Sequence, residues 1–207
     1  MFIVIEGIDG AGKGRQREEL VAALSSDQII DTVGFPDHDS VIYHHVIHPA
    51  IHDEISIDSK TLFSAFALDQ LLWKEKIKKT VKSKTEHFIA DGYFTTNIAY
   101  QCILEKALQV EDALDYAKLL SIPVPDLVIF LDVDPKIAMQ RKLNEEGHTE
   151  GLDKYEGSIK KQELLRKAFK NMASDNIFGK WVVINGDKSI EEVRDSIISI
   201  ANPYIKS

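Results

Sequence analysis

The sequence predicts an α/β fold in which a parallel sheet of five strands is covered by helices on both faces. Short apolar runs rich in β-branched residues recur along the chain, and such runs are typical of strands buried inside a sheet. Helical patterns separate the runs, and strands that alternate with helices pair in parallel. The predicted strands are residues 2–5, 29–33, 87–90, 127–131 and 181–184.

The helices are predicted from positions that recur on one side of each segment. These positions are Gln16, Leu20 and Leu24 in the first helix, Leu62, Phe66, Trp73 and Ile77 in a middle helix, and Val193, Ile197 and Ile200 in the last. Two helix starts carry capping signals. Asp134 followed by Pro135 predicts one start, and Ser189 with Glu192 three residues later forms a capping box at the other.

Length and composition favour one soluble domain and exclude two classes of partner. The 207 residues are 44% hydrophobic and 28% charged, which is ordinary for a globular domain. No run approaches the roughly 18 apolar residues that a membrane span needs. We expect no signal peptide, because the first predicted strand begins at residue 2 without a basic segment before it. The formal net charge of −8 argues against a general nucleic-acid binder, because phosphate backbones are held by basic surfaces. We expect a single domain, 1–207, with no membrane or nucleic-acid partner.

Cysteine usage indicates the compartment. Cys102 is the single cysteine, so the chain forms no internal disulfide. This fits a reducing environment, and we expect a cytoplasmic protein.

A glycine-rich segment follows the first predicted strand. It reads Gly7-Ile8-Asp9-Gly10-Ala11-Gly12-Lys13-Gly14 and leads into a helical pattern near Arg15. Strand, glycine-rich turn and helix in this order are typical of a phosphate-binding P-loop. Backbone N–H groups and the helix N-terminus attract phosphate, and Lys13 reaches the β- and γ-phosphates of ATP. The sequence therefore predicts a P-loop NTPase fold, with a glycine-rich turn that binds no ligand as the alternative.

One position of this loop departs from the usual pattern. The residue after Lys13 is Gly14, where a Ser or Thr hydroxyl usually contacts Mg²⁺. The metal that accompanies ATP must then be held through water or by a carboxylate elsewhere in the chain.

Further segments resemble the motifs of the thymidylate kinase family in order and spacing. They are Phe35-Pro36-Asp37-His38, the helix of residues 62–70, Asp91-Gly92-Tyr93 with Ala99-Tyr100-Gln101, residues 125–135 with Arg141, and Asn185-Gly186-Asp187. The resemblance covers nearly the whole chain. It implies a three-layer P-loop fold of the nucleoside monophosphate kinase type, with a lid at about residues 142–154.

The resemblance also implies a role for each matching residue. The implied catalytic residues are Lys13, Arg141 and Asp91, and Asp91 is also the implied ligand of Mg²⁺. The implied ATP-binding residues are Gly7, Asp9, Gly10, Ala11, Gly12, Lys13, Gly14, Arg15, Asn185 and Asp187. The implied acceptor-binding residues are Asp9, Phe35, Pro36, His38, Phe66, Gln70, Thr96, Tyr100 and Gln101.

Two of these residues also have ordinary structural interpretations. Phe66 would stack on a pyrimidine, since an aromatic face suits a planar base, but it also fits a core position on an apolar helix face. Asp91 suits a hard cation, but it also fits the end of a strand.

Three departures from the family pattern remove arginines that act on the acceptor nucleotide. In the family, the first and third arginines hold the acceptor phosphate and the second contacts the base. Here the three positions are His38, Gln70 and Gly92. Arginine suits such work because its planar fork binds phosphate bidentately and keeps its charge.

The predicted lid mixes charges of both signs. Its cations are Arg141, Lys142 and Lys154, and the surrounding carboxylates are Glu145, Glu146, Glu150 and Asp153. The field is therefore less positive than phosphoryl transfer favours. Arg15 and Arg17 of the first helix are candidates to add charge, with solvated arginines as the alternative.

A histidine cluster raises the question of a second metal site. His44, His45, His48 and His52 lie within nine residues, and three of them repeat at spacing four as helical metal ligands can. Pro49 interrupts the helical pattern and no cysteine lies nearby. A solvated or half-buried helix face is therefore the favoured interpretation, and metal binding is the alternative.

The expected function is transfer of the γ-phosphate of ATP to dTMP, with Mg²⁺ as cofactor and small nucleotides as partners. Catalysis would rest on positioning and charge stabilisation. The resemblance implies a homodimer. Two alternatives stay open: a kinase of the same fold for another deoxynucleoside monophosphate or a non-nucleotide acceptor, and a regulatory nucleotide-binding protein that has lost transfer activity.

Overall fold

Five parallel strands form one sheet in the order β2-β3-β1-β4-β5. A computed structural model of the protein describes residues 1–24, 28–83, 85–144 and 155–205. The strands of these residues are β1 (Phe2–Glu6), β2 (Ile29–Gly34), β3 (Glu86–Asp91), β4 (Leu127–Asp132) and β5 (Trp181–Asn185). Each predicted strand is confirmed, with its end one residue later than expected.

Helices flank the sheet, as predicted. Those of the described ranges are α1 (Lys13–Leu24), α2 (His48–Ile51), α3 (Ser59–Leu72), α4 (Lys74–Val81), α5 (Phe94–Asn97), α6 (Val110–Leu120), α7 (Pro135–Leu143), α8 (Ile159–Ser174) and α9 (Ile190–Ile205). Two π-helical segments, Tyr43–Ile47 and Ile98–Leu104, lead into α2 and continue α5. Helix α1 packs against β1, β2, β3 and α9, helix α4 against β1 and β3, and helix α8 against β4 and β5.

The capping residues predicted the starts of α7 and α9 correctly. Asp134 Oδ1 accepts a hydrogen bond from Lys136 N at 2.9 Å at the start of α7. The capping box before α9 is also present, because Ser189 and Glu192 exchange backbone-to-side-chain bonds of 3.1 and 3.2 Å. Both predicted starts are confirmed.

The segment that was predicted as one middle helix forms two helices, α3 and α4, so the prediction of a continuous helix was wrong. Trp73 lies between α3 and α4, and its backbone N–H bonds to Gln70 O at 3.1 Å in a tight final turn. The Trp73 indole N–H donates to Asp37 Oδ2 at 2.9 Å, which directs the ring towards a different segment of the chain. This long-range bond helps to end α3 where the apolar pattern continues.

Strand β2 was predicted to be buried, and this is a second correction. It pairs only with β3 at the edge of the sheet, and Ile29 is 62% exposed. Strand β1, by contrast, lies at the centre and all five of its residues are buried. The Phe2 ring packs edge-to-face on Phe88 and Tyr93, with centroid distances of 5.6 and 5.0 Å.

The parallel arrangement brings the carboxyl ends of all five strands to one edge of the sheet. The residues at this edge are Glu6, Gly34, Asp91, Asp132 and Asn185. In open α/β sheets, ligands bind in the crevice outside these strand ends. No helix of the described residues is long and apolar enough to cross a membrane.

Candidate active site

A cleft of about 880 Å³ lies at the carboxyl edge of the sheet, and the predicted P-loop forms part of its wall. Gly10 shows why glycine is needed in the loop. Its φ is +76°, and an added Cβ would lie 2.2 Å from the carbonyl oxygen of Ala138. The backbone of α7 therefore packs against the loop where a side chain would stand.

Lys13 is folded over its own loop. Its Nζ donates to the carbonyl oxygens of Gly7 and Ile8 at 3.0 and 3.1 Å. The side chain lines the cleft, so a phosphate bound in the loop meets the ammonium group at the mouth of the P-loop.

Asp91 lies at the end of β3, beside the P-loop. Its Oδ2 is 3.2 Å from Arg17 NH1, and both side chains are less than one-fifth exposed. Burial raises the pKa of the Asp91 carboxyl, and the charges of Arg17 and Lys13 act in the opposite direction. A Cβ built on Gly14 would lie 3.8 Å from Asp91 Oδ2. The carboxylate therefore lies next to the space where a P-loop hydroxyl would project.

Glu6 is a fully buried carboxyl group that follows the apolar residues of β1. Its Oε1 accepts hydrogen bonds from Tyr93 N, at 3.1 Å, and from the Thr95 hydroxyl, and its Oε2 accepts from the Thr96 hydroxyl at 2.8 Å. Burial raises the pKa of Glu6 to about 7, although the bonds from Thr95 and Thr96 lower it. Sequence reasoning missed this residue; the available signal was an acidic residue that directly extends a buried apolar strand.

Asp9 is held from two sides. Its Oδ2 accepts from the Tyr100 hydroxyl at 2.7 Å and from Gln162 Nε2 at 2.9 Å, while its backbone N–H donates to Gln162 Oε1 at 3.2 Å. Gln162 also donates to the carbonyl oxygen of Tyr155 at 3.1 Å. The structure thus brings two predicted site residues, Asp9 and Tyr100, into contact. Gln162 was missed, and a single glutamine within a helical pattern gives no sequence signal.

The Phe35–His38 segment reaches the cleft through Pro36 and His38. Phe35 itself is buried, and its ring contacts Tyr93 at a centroid distance of 5.5 Å. The segment is held by Asp69 of α3, a fully buried carboxylate that accepts from Asp37 N at 2.9 Å and from the Ser40 hydroxyl. Burial raises the pKa of Asp69.

Six predicted acceptor residues lie outside the set that lines the cleft: Phe35, Tyr100, Phe66, Gln70, Thr96 and Gln101. Phe66 is half-buried on α3, whereas Phe63 and Ala67 of that helix belong to the core. The side-chain amides of Gln70 and Asn97 pair with each other, with both bonds at 3.2 Å. Gln101 donates to the Tyr155 hydroxyl at 3.4 Å, and the Thr96 hydroxyl is bound to Glu6. The contacts of Phe66, Gln70, Thr96 and Gln101 with a base stay predictions.

Arg141 is directed at the loop before α9. Its NH1 donates to the carbonyl oxygen of Gly186 at 3.0 Å, and its NH2 donates to that of Lys188 at 3.4 Å. Gly186 and Lys188 line the cleft, so Arg141 shapes its wall at this side. The predicted neighbours Asn185 and Asp187 support the loop: Asp187 N bonds to Asn185 Oδ1 at 3.0 Å, and Asp187 Oδ1 accepts from Asp134 N at 2.8 Å.

The predicted lid is only partly described. Lys142 forms an ion pair with Glu156 at 3.2 Å, and both line the cleft. Residues 145–154, including Lys154 and the four predicted carboxylates, lie outside the described residues. Arg15 also lines the cleft; its guanidinium pairs with Glu19 at 2.7 Å and its side chain is 59% exposed.

Gly92 has a conformation that disfavours other residues. Its φ is +62°, and an added Cβ would lie 2.8 Å from the carbonyl oxygen of Phe35. An arginine at this position therefore requires a shift of the backbone. The family's third arginine has no direct replacement here.

The histidine segment is helical through Pro49, so the expected interruption was wrong. Pro49 lies in the first turn of α2, where a missing N–H is tolerated. Across the described parts of the chain, no group of three or more His, Cys, Asp or Glu side chains is arranged to hold a metal. The His44 and His48 rings instead make edge contacts with Tyr43, and the His48 and His52 rings are tilted against each other.

Comparisons with known proteins match this chain over nearly its whole length. The family model described as thymidylate kinase matches residues 5–197. A thymidylate kinase of Fervidobacterium nodosum is 29% identical to this chain, over 99% of the chain and 100% of that relative. A thymidylate kinase of Dictyostelium discoideum is 25% identical, over 100% and 86%. A probable thymidylate kinase of Picrophilus torridus is 31% identical, over 99% and 97%.

The buried carboxyl of Glu6 predicts a pH dependence of stability. The pKa of Glu6 is higher in the folded protein than in the unfolded chain, so its contribution is fully present below about pH 4.5 and is lost as the pH rises to about 7. Relative to Glu6→Gln, the wild type should lose on the order of 2 to 3 kcal/mol of unfolding free energy between about pH 5 and pH 8. Urea denaturation at a series of pH values measures this difference. Parallel profiles for the two proteins would show that Glu6 titrates as it does in the unfolded chain.

Proposed function

Since the chain belongs to the thymidylate kinase family of phosphotransferase enzymes, we propose that it transfers the γ-phosphate of ATP to dTMP, giving ADP and dTDP. One observation carries the proposal. The P-loop, Asp91 and the Phe35–His38 segment contribute residues to the same cleft, so the donor and acceptor segments border one space. In such a reaction the protein positions the two nucleotides and stabilises the charge that develops between them.

The donor half of the cleft suits the phosphates of ATP. The P-loop N–H groups and the N-terminus of α1 attract the β- and γ-phosphates. Lys13 exchanges its bonds to Gly7 and Ile8 for bonds to phosphate oxygens, where its charge counts most in the transition state. Arg141 holds the loop at Gly186, and we assign this side of the cleft to adenine.

Asp91 fits the role of a magnesium-binding carboxylate. Protein sites for Mg²⁺ often use one or two carboxylates together with substrate phosphates. The Asp91 carboxylate lines the cleft and lies beside Gly14, where the usual P-loop hydroxyl is missing. When bound, Mg²⁺ neutralises charge on the β- and γ-phosphates. Arg17 holds the carboxylate in place through the 3.2 Å ion pair.

The acceptor half is assigned from the Phe35–His38 segment and from Asp9. Pro36 and His38 line the cleft, and the Asp9–Tyr100 hydrogen bond lies between the P-loop and the segment that follows α5. We assign the sugar of the acceptor to Asp9 and Tyr100, and its base to Phe66, Gln70, Thr96 and Gln101.

A single kinase domain, 1–207, with a lid at about residues 142–154 is part of the proposal. It is supported by the unbroken family match over residues 5–197 and by a sheet whose strands come from residues 2 to 185. A cytoplasmic location is supported by the one cysteine, Cys102, which is buried and free.

A homodimer is also part of the proposal. Leu68 and Leu72 lie four residues apart on α3 and are 45% and 62% exposed. Two such leucines on one helix face suit an apolar contact between identical chains. Sedimentation velocity tests this: a mass near twice the 23.3 kDa of one chain supports a dimer, and a mass of one chain contradicts it.

The acceptor is tested with a panel of monophosphates. ADP release is measured with ATP, Mg²⁺ and each of dTMP, dUMP, dCMP and dAMP. Release that is highest with dTMP supports the proposal. Because His38, Gln70 and Gly92 stand in place of family arginines, another deoxynucleoside monophosphate is the second candidate, and release highest with it would replace dTMP as the substrate.

Lys13→Ala should abolish most of the transfer activity. Loss of a transition-state phosphate contact typically lowers the rate by about a hundredfold or more. Steady-state kinetics with ATP and dTMP measures the loss, and the circular dichroism spectrum controls for folding. Near-normal turnover by Lys13→Ala would contradict the assignment of the P-loop.

Phe66→Ala should weaken the binding of the acceptor far more than the binding of ATP. Stacking on a base contributes about 1 to 3 kcal/mol, so KM for dTMP should rise roughly tenfold or more while KM for ATP stays the same. Phe63→Ala is the matched control, because Phe63 is a buried core residue of the same helix. Equal changes in both KM values for Phe66→Ala would instead indicate a structural side chain.

A further inference from the structure

The cations of the cleft are unevenly distributed. Those contributed by Lys and Arg residues of the described chain are Lys13, Arg15, Arg141, Lys142 and Lys188. All of them come from the P-loop and α1, from α7 or from the loop before α9. The wall formed by residues 36–52 contributes Pro36, His38, Tyr43, Ile51 and His52 instead. On this acceptor side, the residues that can carry positive charge are therefore histidines.

Ring contacts fix the positions of these histidines. The His38 ring stacks on Tyr43 at a centroid distance of 4.3 Å and an interplanar angle of 12°. Tyr43 contacts His48 edge-on at 5.5 Å, and His48 contacts His52 at 4.4 Å. The four rings form a continuous series in which His38 and His52, its two ends, both face the cleft. We call this series the ring ladder.

The ring ladder is anchored at both of its ends. Asp69 holds the backbone of Asp37 and the hydroxyl of Ser40, on either side of His38. At the other end, His52 closes the last turn of α2 through its N–H bond to His48 O at 3.2 Å. These bonds hold the backbone at the two ends of the ladder, and the ring contacts restrict the His38 and His52 imidazoles, which reduces the entropy lost when they bind a ligand.

We propose that His52 and His38 together bind the phosphate of the acceptor, so that an imidazole pair replaces the arginines of the family pattern. The proposal rests on the proposed function, and it names His52 as an acceptor-binding residue. Each imidazole has at least one N–H that can donate to a phosphate oxygen, and protonation adds a second donor and a charge. The ligand class is a phosphomonoester whose ester group extends towards the base-binding segment.

Binding of dTMP and of thymidine separates a phosphate contact from a structural role, because thymidine lacks the phosphate. Calorimetry without ATP should show that His52→Ala lowers the affinity for dTMP by about tenfold to a hundredfold. Thymidine, measured as a competitor of dTMP, should bind wild type and variant equally. His52→Lys, which keeps a donor and a charge, should restore most of the affinity for dTMP.

The matched control is His45→Ala, because His45 is exposed on the same helical segment and lines no part of the cleft. It should bind dTMP like the wild type. Unchanged dTMP affinity in His52→Ala, or equal losses for dTMP and thymidine, would overturn the inference. Wild type that binds dTMP but forms no ADP refutes the proposed transfer and leaves the binding test intact. Wild type that binds no dTMP overturns both.

Discussion

A buried carboxyl group at the end of the central strand links the two halves of the site. Glu6 directly precedes the P-loop, and it receives three hydrogen bonds from Tyr93, Thr95 and Thr96. An isolated carboxyl in this fully buried place would be costly, so the hydroxyls and the N–H are required partners. Because these partners begin the segment after β3, Glu6 joins the end of β1, which leads into the P-loop, to the segment that follows Asp91.

The donor and acceptor sides of the cleft meet the need for positive charge differently. On the side that we assign to ATP, backbone N–H groups, Lys13 and the N-terminus of α1 are the proposed phosphate contacts. On the side assigned to the acceptor, an arginine at the position of Gly92 would require a shift of the backbone. Three members of the ring ladder, His38, Tyr43 and His52, line the cleft on this side. The chain thus keeps the fold of its family, and the proposed imidazole contacts would change the chemistry that holds the acceptor.

Short-range signals explain what the sequence predicted. The strands, the P-loop and the caps at Asp134 and Ser189 depend on neighbours within a few residues, and each was found where the pattern placed it. The roles of Glu6 and Gln162 depend on partners 87 to 90 and 153 residues away in the chain. The hydrophobic periodicity of a sequence gives no information about contacts between residues so far apart in the chain. The break at Trp73 and the exposure of β2 were missed for the same reason, since a distant hydrogen bond and an edge position decided them.

Joint binding of ATP and dTMP in one cleft is the core of the mechanism, and it is tested most directly by identifying the products. Phosphorus NMR of the protein with ATP, Mg²⁺ and dTMP follows every phosphate in one sample. The mechanism predicts that dTDP and ADP appear in equal amounts and that both are absent when dTMP is omitted. Release of inorganic phosphate without dTDP, or ATP that stays intact beside dTMP, would contradict it.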